Sequence, residues 1–121
     1  MFISMLHAKI HHARVTRADL NYVGSITIDR EIMDANGIHE FERVLVADLE
    51  NGNRFETYTM VGEAGSGLIQ VNGAAAHLVK IGDRLIVMAF AQVENPDPTW
   101  QPTIAIMNER NELAKVMTGA F

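Results

Sequence analysis

The chain has 121 residues, of which 48% are hydrophobic, 15 acidic and 10 basic, and it contains no cysteine. That length and apolar content support one domain with a real core, and the lack of cysteine excludes disulfide frameworks, zinc–thiolate and iron–sulfur sites and cysteine nucleophiles. A mildly acidic balance with scattered basic residues argues against a nucleic-acid-binding stripe, and the longest apolar run, residues 85–91, is too short to span a bilayer.

No basic segment precedes an uninterrupted apolar run at the N-terminus, so a signal peptide is not expected. The expectation is a soluble cytoplasmic protein with neither nucleic acid nor membrane as partner. Leu6, Ala8 and Ile10 alternate with His7, Lys9 and His11, which predicts a strand with one apolar and one ionisable face. On such a strand His7 and His11 share a face and His12 points away. Residues 16–20 read as a short helical or turn segment. Gly24-Ser25 reads as a surface turn ahead of a strand over 25–28.

Residues 31–35 can form a short helix stopped by Asn36-Gly37. A strand is expected over 43–49, a hairpin turn at Asn51-Gly52, and the return strand over 54–61. A glycine-punctuated segment, 62–67, leads into a short strand, 68–71, and a helix start at Asn72-Gly73-Ala74-Ala75-Ala76. The most apolar strand follows over 84–93. Pro96, Pro98 and Pro102 frame a rigid loop around Trp100, 103–107 is a last strand, and the remainder reads as a partly ordered tail. Many short strands with one- to two-turn helices predict a mainly β single domain over 1–121, more barrel than flat sheet.

The glycines of 62–67 lack the Gly-Lys-Ser/Thr ending of a phosphate loop, and no long helix follows, so a turn is the better reading. The histidines have no neighbouring carboxylate in sequence to complete a metal shell, so no metal is expected. Lys9 and His11 share a strand face that is either solvated or lines a site. Arg54 and Tyr58 share a face four residues apart, while Thr57 points oppositely or is re-aimed by a bulge. Asn72 and the small residues after it either cap a helix or let backbone approach a ligand.

Gly24-Ser25 admits a rarer chemistry. A serine hydroxyl can attack the preceding carbonyl if the peptide is held in a strained geometry and the oxyanion finds donors. Glycine tolerates unusual φ and leaves that carbonyl unshielded. The ester so formed undergoes β-elimination, and hydrolysis with loss of ammonia leaves a pyruvoyl group.

Residues 5–11, 15–25, 28–29, 34–38, 51–58, 71–77 and 82–83 contain Tyr-x-Gly-Ser, Arg-Phe-x-Thr-Tyr and Asn-Gly-Ala-Ala-Ala-His in order. In these stretches the chain resembles the pyruvoyl-dependent L-aspartate α-decarboxylases, which make β-alanine for pantothenate and coenzyme A. Residues 41–49 and the tail after Trp100 match only loosely. The resemblance implies a six-stranded double-psi β-barrel with short helices, a homotetramer with active sites between subunits, and self-cleavage into 1–24 and 25–121.

By the same resemblance, Gly24 and Ser25 flank the cleaved bond, and Ser25 becomes the covalent pyruvoyl cofactor. Tyr58 is the proton donor, Thr57 steers processing and contacts substrate, and Asn72 orients the reacting group. Lys9 and Arg54 hold the two carboxylates of aspartate, in an order the sequence leaves open. The N–H groups of Gly73, Ala74 and Ala75 contact remaining oxygens, with Tyr22 and His11 in supporting positions. Whether a helper protein assists maturation is also left open. Two other readings stand beside this one: a non-enzymatic barrel that binds a protein, and a decarboxylase for another acidic amino acid such as glutamate.

Overall fold

The computed structural model describes residues 1–119. They form a mainly β fold whose strands run in one open order, β2-β6-β3-β5-β4-β7-β1-β8-β9. The strands are β1 (Phe2–Arg14), β2 (Arg17–Asp19), β3 (Ser25–Asp29), β4 (Arg43–Asp48), β5 (Arg54–Gly62), β6 (Ile69–Asn72), β7 (Arg84–Glu94), β8 (Thr103–Met107) and β9 (Leu113–Thr118). Helix α1 spans Arg30–Asn36, and a 3-10 turn covers Gly73–Leu78. The six-stranded closure implied by the resemblance is not among these pairings.

Period-two burial explains most strands. In β4, Val44 and Val46 are buried while Arg43 and Leu45 are not, and in β3 Ile26 and Ile28 enter the core. Strand β7, antiparallel to both β1 and β4, brings Leu85, Val87 and Ala89 against Ala8, Ile10, Val44 and Val46. Each fully buried aliphatic side chain contributes roughly 1.5–3 kcal/mol. Three parallel pairings, β1 with β8, β2 with β6 and β3 with β5, require the chain to cross over between them.

Strand β1 is not regular. Its register with β7 shifts between Leu6 and Ala8 and again between His11 and Ala13. The second shift coincides with a positive φ at His12. The extra residue returns Ala13 to the core, so burial falls on 8, 10 and 13 rather than 8, 10 and 12. It also overturns the expectation that His12 points away, because the rings of His11 and His12 stack at 3.9 Å.

Two further expectations are corrected. Residues 17–19 form a strand parallel to β6, where a helical or turn segment was expected, because Thr16 exchanges hydrogen bonds with Ile69 through both backbone and hydroxyl. The tail carries β9, antiparallel to β8. Buried Asn111 anchors its start, accepting from Arg14 N and donating to the carbonyls of Arg14 and Gly67.

The glycine-rich segment does cradle an acid, but one of the chain's own. Asp29 accepts from the N–H groups of Gly65, Gly67 and Glu31, and so caps α1 while fixing the loop. Gly37 closes the helix with φ 75°, as the Asn36-Gly37 stop predicts.

Asp48 ends β4 and accepts from Glu50 N, bracing the hairpin that begins β5. It is 2% exposed, and burial together with the neighbouring Asp83 carboxyl raises its pKa to about 6 from 3.8. The folded protein therefore holds a proton there that the unfolded chain releases, so this contribution to stability falls as pH rises from about 4 to 6. Asp48→Asn keeps the acceptor for Glu50 N without the charge. Urea unfolding at one protein concentration should show the variant's advantage over wild type growing across that window, to on the order of 2–3 kcal/mol. Subtraction of the wild-type curve cancels the contribution of the ion pair in which Arg84 Nε holds Glu50 at 2.8 Å, and a difference independent of pH would contradict the account.

Candidate active site

Ser25 is the first residue of β3 and pairs antiparallel with Asn72, the last residue of β6. It is 1% exposed, and so does not lie in the surface turn read from the sequence. Its hydroxyl donates to Val23 O at 3.3 Å and accepts from Asn72 Nδ2 at 3.0 Å. The same Asn72 nitrogen reaches Thr27 Oγ1 at 3.2 Å, and Gln70 Nε2 donates to Asn72 Oδ1 at 2.7 Å.

Strand periodicity assembles this network. Ser25 pairs with Asn72 and Thr27 with Gln70, so all four side chains share the face opposite Ile26 and Ile28. Asn72 makes no side-chain cap to the turn that follows it, which removes the helix-cap reading. Gln70 and Thr27 escaped the sequence reading. The signal for Gln70 was a long polar residue two positions before Asn72 inside an otherwise apolar strand.

The close contact at this site is between backbones. Gly73 has φ 73°, and a Cβ placed on it would lie 2.7 Å from Gly24 Cα and 3.3 Å from Tyr22 O. Only glycine fits there, by both conformation and space. Gly24 itself is outside the positive-φ region, and a Cβ on it would meet its nearest neighbour at 4.0 Å. The unusual φ expected at Gly24 thus belongs to Gly73. Ala74 is exposed and Ala75 half-buried on the turn that follows, and Tyr22 is exposed beside it.

Strand β5 adds the next residues through its parallel register with β3, in which Ile26 faces Thr59. Continued toward the N-terminal ends, that register sets Ser25 level with Tyr58 and Gly24 level with Thr57. The β4–β5 pairing from Tyr58 to Arg54 contains no bulge, so Arg54, Glu56 and Tyr58 alternate with Phe55 and Thr57. Of the two placements open for Thr57, the structure has the opposite-face one. Tyr58 shares the face of Ser25 and Asn72, with exposed Arg54 four residues before it. Arg43 Nη2 holds Glu56 at 2.9 Å on this face.

Lys9 and His11 lie elsewhere on the chain. With Leu6, Trp100, Gln101 and Ile104 they line a cleft of about 560 Å³ that includes neither Ser25 nor Tyr58. Burial, the stacked His12 and Lys9 hold His11 below the usual histidine pKa. His12 is lowered as well, by burial and then by Arg84 and Arg14. The third histidine of the strand, His7, instead pairs with Glu42. No group of three or more metal-ligating side chains occurs among the described residues, and none of their helices is long and apolar enough to cross a membrane.

Residues 1–114 match the family model described as aspartate decarboxylase. The chain is 50% identical over 117 residues to an aspartate 1-decarboxylase of Carboxydothermus hydrogenoformans, covering 96% of this chain and 92% of the relative. The corresponding enzyme of Bacillus licheniformis is 46% identical over 118 residues, 97% of this chain and 93% of its own. That of Neisseria meningitidis is 45% identical over 119 residues, 98% and 94% respectively. The match runs through 41–49 and into β9, the stretches that resemble the family only loosely by motif. With a buried serine after glycine, an asparagine on its hydroxyl and a tyrosine level with it on the next strand, the chain belongs to the aspartate decarboxylase family.

Proposed function

We propose that the protein is a cytoplasmic aspartate 1-decarboxylase that converts L-aspartate to β-alanine and carbon dioxide, supplying pantothenate synthesis, and matures by cleavage between Gly24 and Ser25. The observation that carries this reading is Ser25 itself: buried, directly after glycine, with Asn72 Nδ2 on its hydroxyl.

In the maturation step, Ser25 Oγ adds to the carbonyl carbon of Gly24 and the peptide C–N bond breaks, leaving an ester and a free amine. Loss of the Ser25 α-proton expels the Gly24 carboxylate, and water then replaces nitrogen, releasing ammonia. Asn72 keeps the hydroxyl turned toward the chain that precedes it, and the contact of Gly73 with Gly24 limits where that peptide can go. Thr57, level with Gly24, is the candidate donor to the oxygen that gains charge in the first addition.

The residues around Ser25 suit the pyruvoyl group, since Gly73 leaves no side chain in the way and Asn72 Nδ2 remains beside it as a donor once Oγ has left with the Gly24 carboxylate. That group supplies an electrophilic ketone for the substrate amine and an adjacent amide that takes up the electron pair left when carbon dioxide departs. Tyr58, on the face of Ser25, holds the phenolic proton for the substrate α-carbon. Arg54 offers a planar fork for a carboxylate, and Lys9 a compact second charge. The N–H groups of Gly73, Ala74 and Ala75 are donors for remaining oxygens. Tyr22 and His11 support the site from its rim.

The separation of the Lys9 cleft from Ser25 within one chain favours a homotetramer in which neighbouring subunits complete each site. The parallel β1–β8 and β3–β5 crossings favour double-psi closure of the sheet. Charged residues on the Ser25 face, Arg54 above all, favour a dicarboxylate substrate over the partner-protein reading. Carbon dioxide release from aspartate against glutamate decides between the two acids.

The faces of β5 separate making the cofactor from using it. Thr57→Val should leave the Gly24–Ser25 bond largely uncleaved, whereas Tyr58→Phe should cleave normally and turn over aspartate about 10²–10⁴-fold more slowly. The paired readout is fraction cleaved by mass and β-alanine formed per cleaved chain; the reverse pattern would exchange the two roles. Arg54→Ala should cleave normally and lose roughly 10- to 100-fold in kcat/KM, chiefly through KM, as one carboxylate loses a charged partner. Near-normal kcat/KM would remove Arg54 from substrate recognition.

A further inference from the structure

We propose that Trp100 is a positioning residue for aspartate binding, acting through the β1 bulge that sets the face on which Lys9 emerges. The inference rests on the reading of Lys9 as a substrate cation. Trp100 Nε1 donates to Leu6 O at 2.8 Å, across 94 residues of sequence. Leu6 is the last residue before the first register shift of β1: it pairs with Phe90, and Ala8 pairs with Ala89, leaving His7 without a partner on β7.

Side chains on a strand alternate with period two, so one extra residue decides which face every following side chain takes. Three residues past Leu6, Lys9 pairs with Met88 on one side and Ile104 on the other, and enters the cleft that Trp100 also lines. The bulge is held from two sides. Glu42 grips the side chain of the unpaired His7, and the Trp100 indole takes the carbonyl just before it.

The loop bearing Trp100 is stiff enough for this task. Trp100 N donates to Asp97 O at 2.9 Å, and Asp97 Oδ1 accepts from both the N–H and the hydroxyl of Thr99. Pro98 and Pro102 restrict the backbone on either side. Gly119 N donates to Pro102 O at 2.9 Å, tying the loop to the end of β9. Without the indole donor, Leu6 O is free to return toward regular pairing, which shifts Lys9 away from its place in the cleft.

A double-mutant cycle with Trp100→Phe and Lys9→Ala on the full-length, self-processed protein tests this. Trp100→Phe should cleave fully at Gly24–Ser25, keep kcat within about twofold, and raise KM for aspartate roughly fivefold, the effect of losing one hydrogen bond. In the Lys9→Ala background the same substitution should change KM by less than about twofold. A rise that persists undiminished without Lys9, or no rise where Lys9→Ala itself raises KM, overturns the positioning role. An unchanged KM in Lys9→Ala alone overturns the substrate reading of Lys9, and this inference falls with it. Should Trp100→Phe fail to fold, His7→Ala loosens the bulge from its other side and must give the same Lys9-dependent rise.

Discussion

Everything at the site depends on two backbones meeting with nothing between them. Gly73 lies so close to Gly24 that a single added carbon would stand 2.7 Å from its Cα. That approach is possible because β6 ends in pairing with the first residue of β3, and because Gly73 adopts φ 73° as the chain turns away. The Gly24–Ser25 peptide is thereby wedged between the start of one strand and the end of another. Reactivity of a peptide bond needs such confinement, since an ordinary serine in a mobile turn rarely meets its own preceding carbonyl in an attacking geometry.

Around that contact the molecule uses strand alternation to sort functions. The inward residues of β3 and β6, Ile26, Ile28 and Val71, build the core, while the outward ones, Ser25, Thr27, Gln70 and Asn72, form a relay of hydrogen bonds that passes through Ser25 to Val23 O. The relay costs little stability because its donors and acceptors satisfy one another in a buried place. The same alternation sends Thr57 and Tyr58 to opposite faces of β5, one level with Gly24 and one with Ser25. Where alternation alone would misplace a group, a bulge corrects it, as in β1 at His7 and His12.

Much of this was legible in the residues. The strands over β4, β5, β7 and β8 follow from alternation and from the Asn51-Gly52 turn, and the family motifs single out Ser25, Tyr58 and Asn72, which the strand registers bring to one face. What was not legible depends on distant partners. β2 forms because Thr16 meets Ile69, and β9 because Asn111 meets Arg14 and Gly67, neither of which is written locally. The bulges of β1 are equally hidden, since each shows only in its register with β7. The unusual glycine conformation sits not at Gly24, ahead of β3, but at Gly73 on the end of the neighbouring strand β6, which carries the positive φ.

The central claim is that Ser25 cleaves the peptide bond before it and itself becomes the cofactor. The most direct measurement is an intact mass spectrum of the purified wild-type protein after prolonged warm incubation. Two species are predicted, residues 1–24 with a free C-terminal carboxyl and residues 25–121 beginning in a pyruvoyl group, the larger one refractory to amine-based sequencing. A single species of unchanged full-length mass, in a preparation that still releases carbon dioxide from aspartate, would contradict the account.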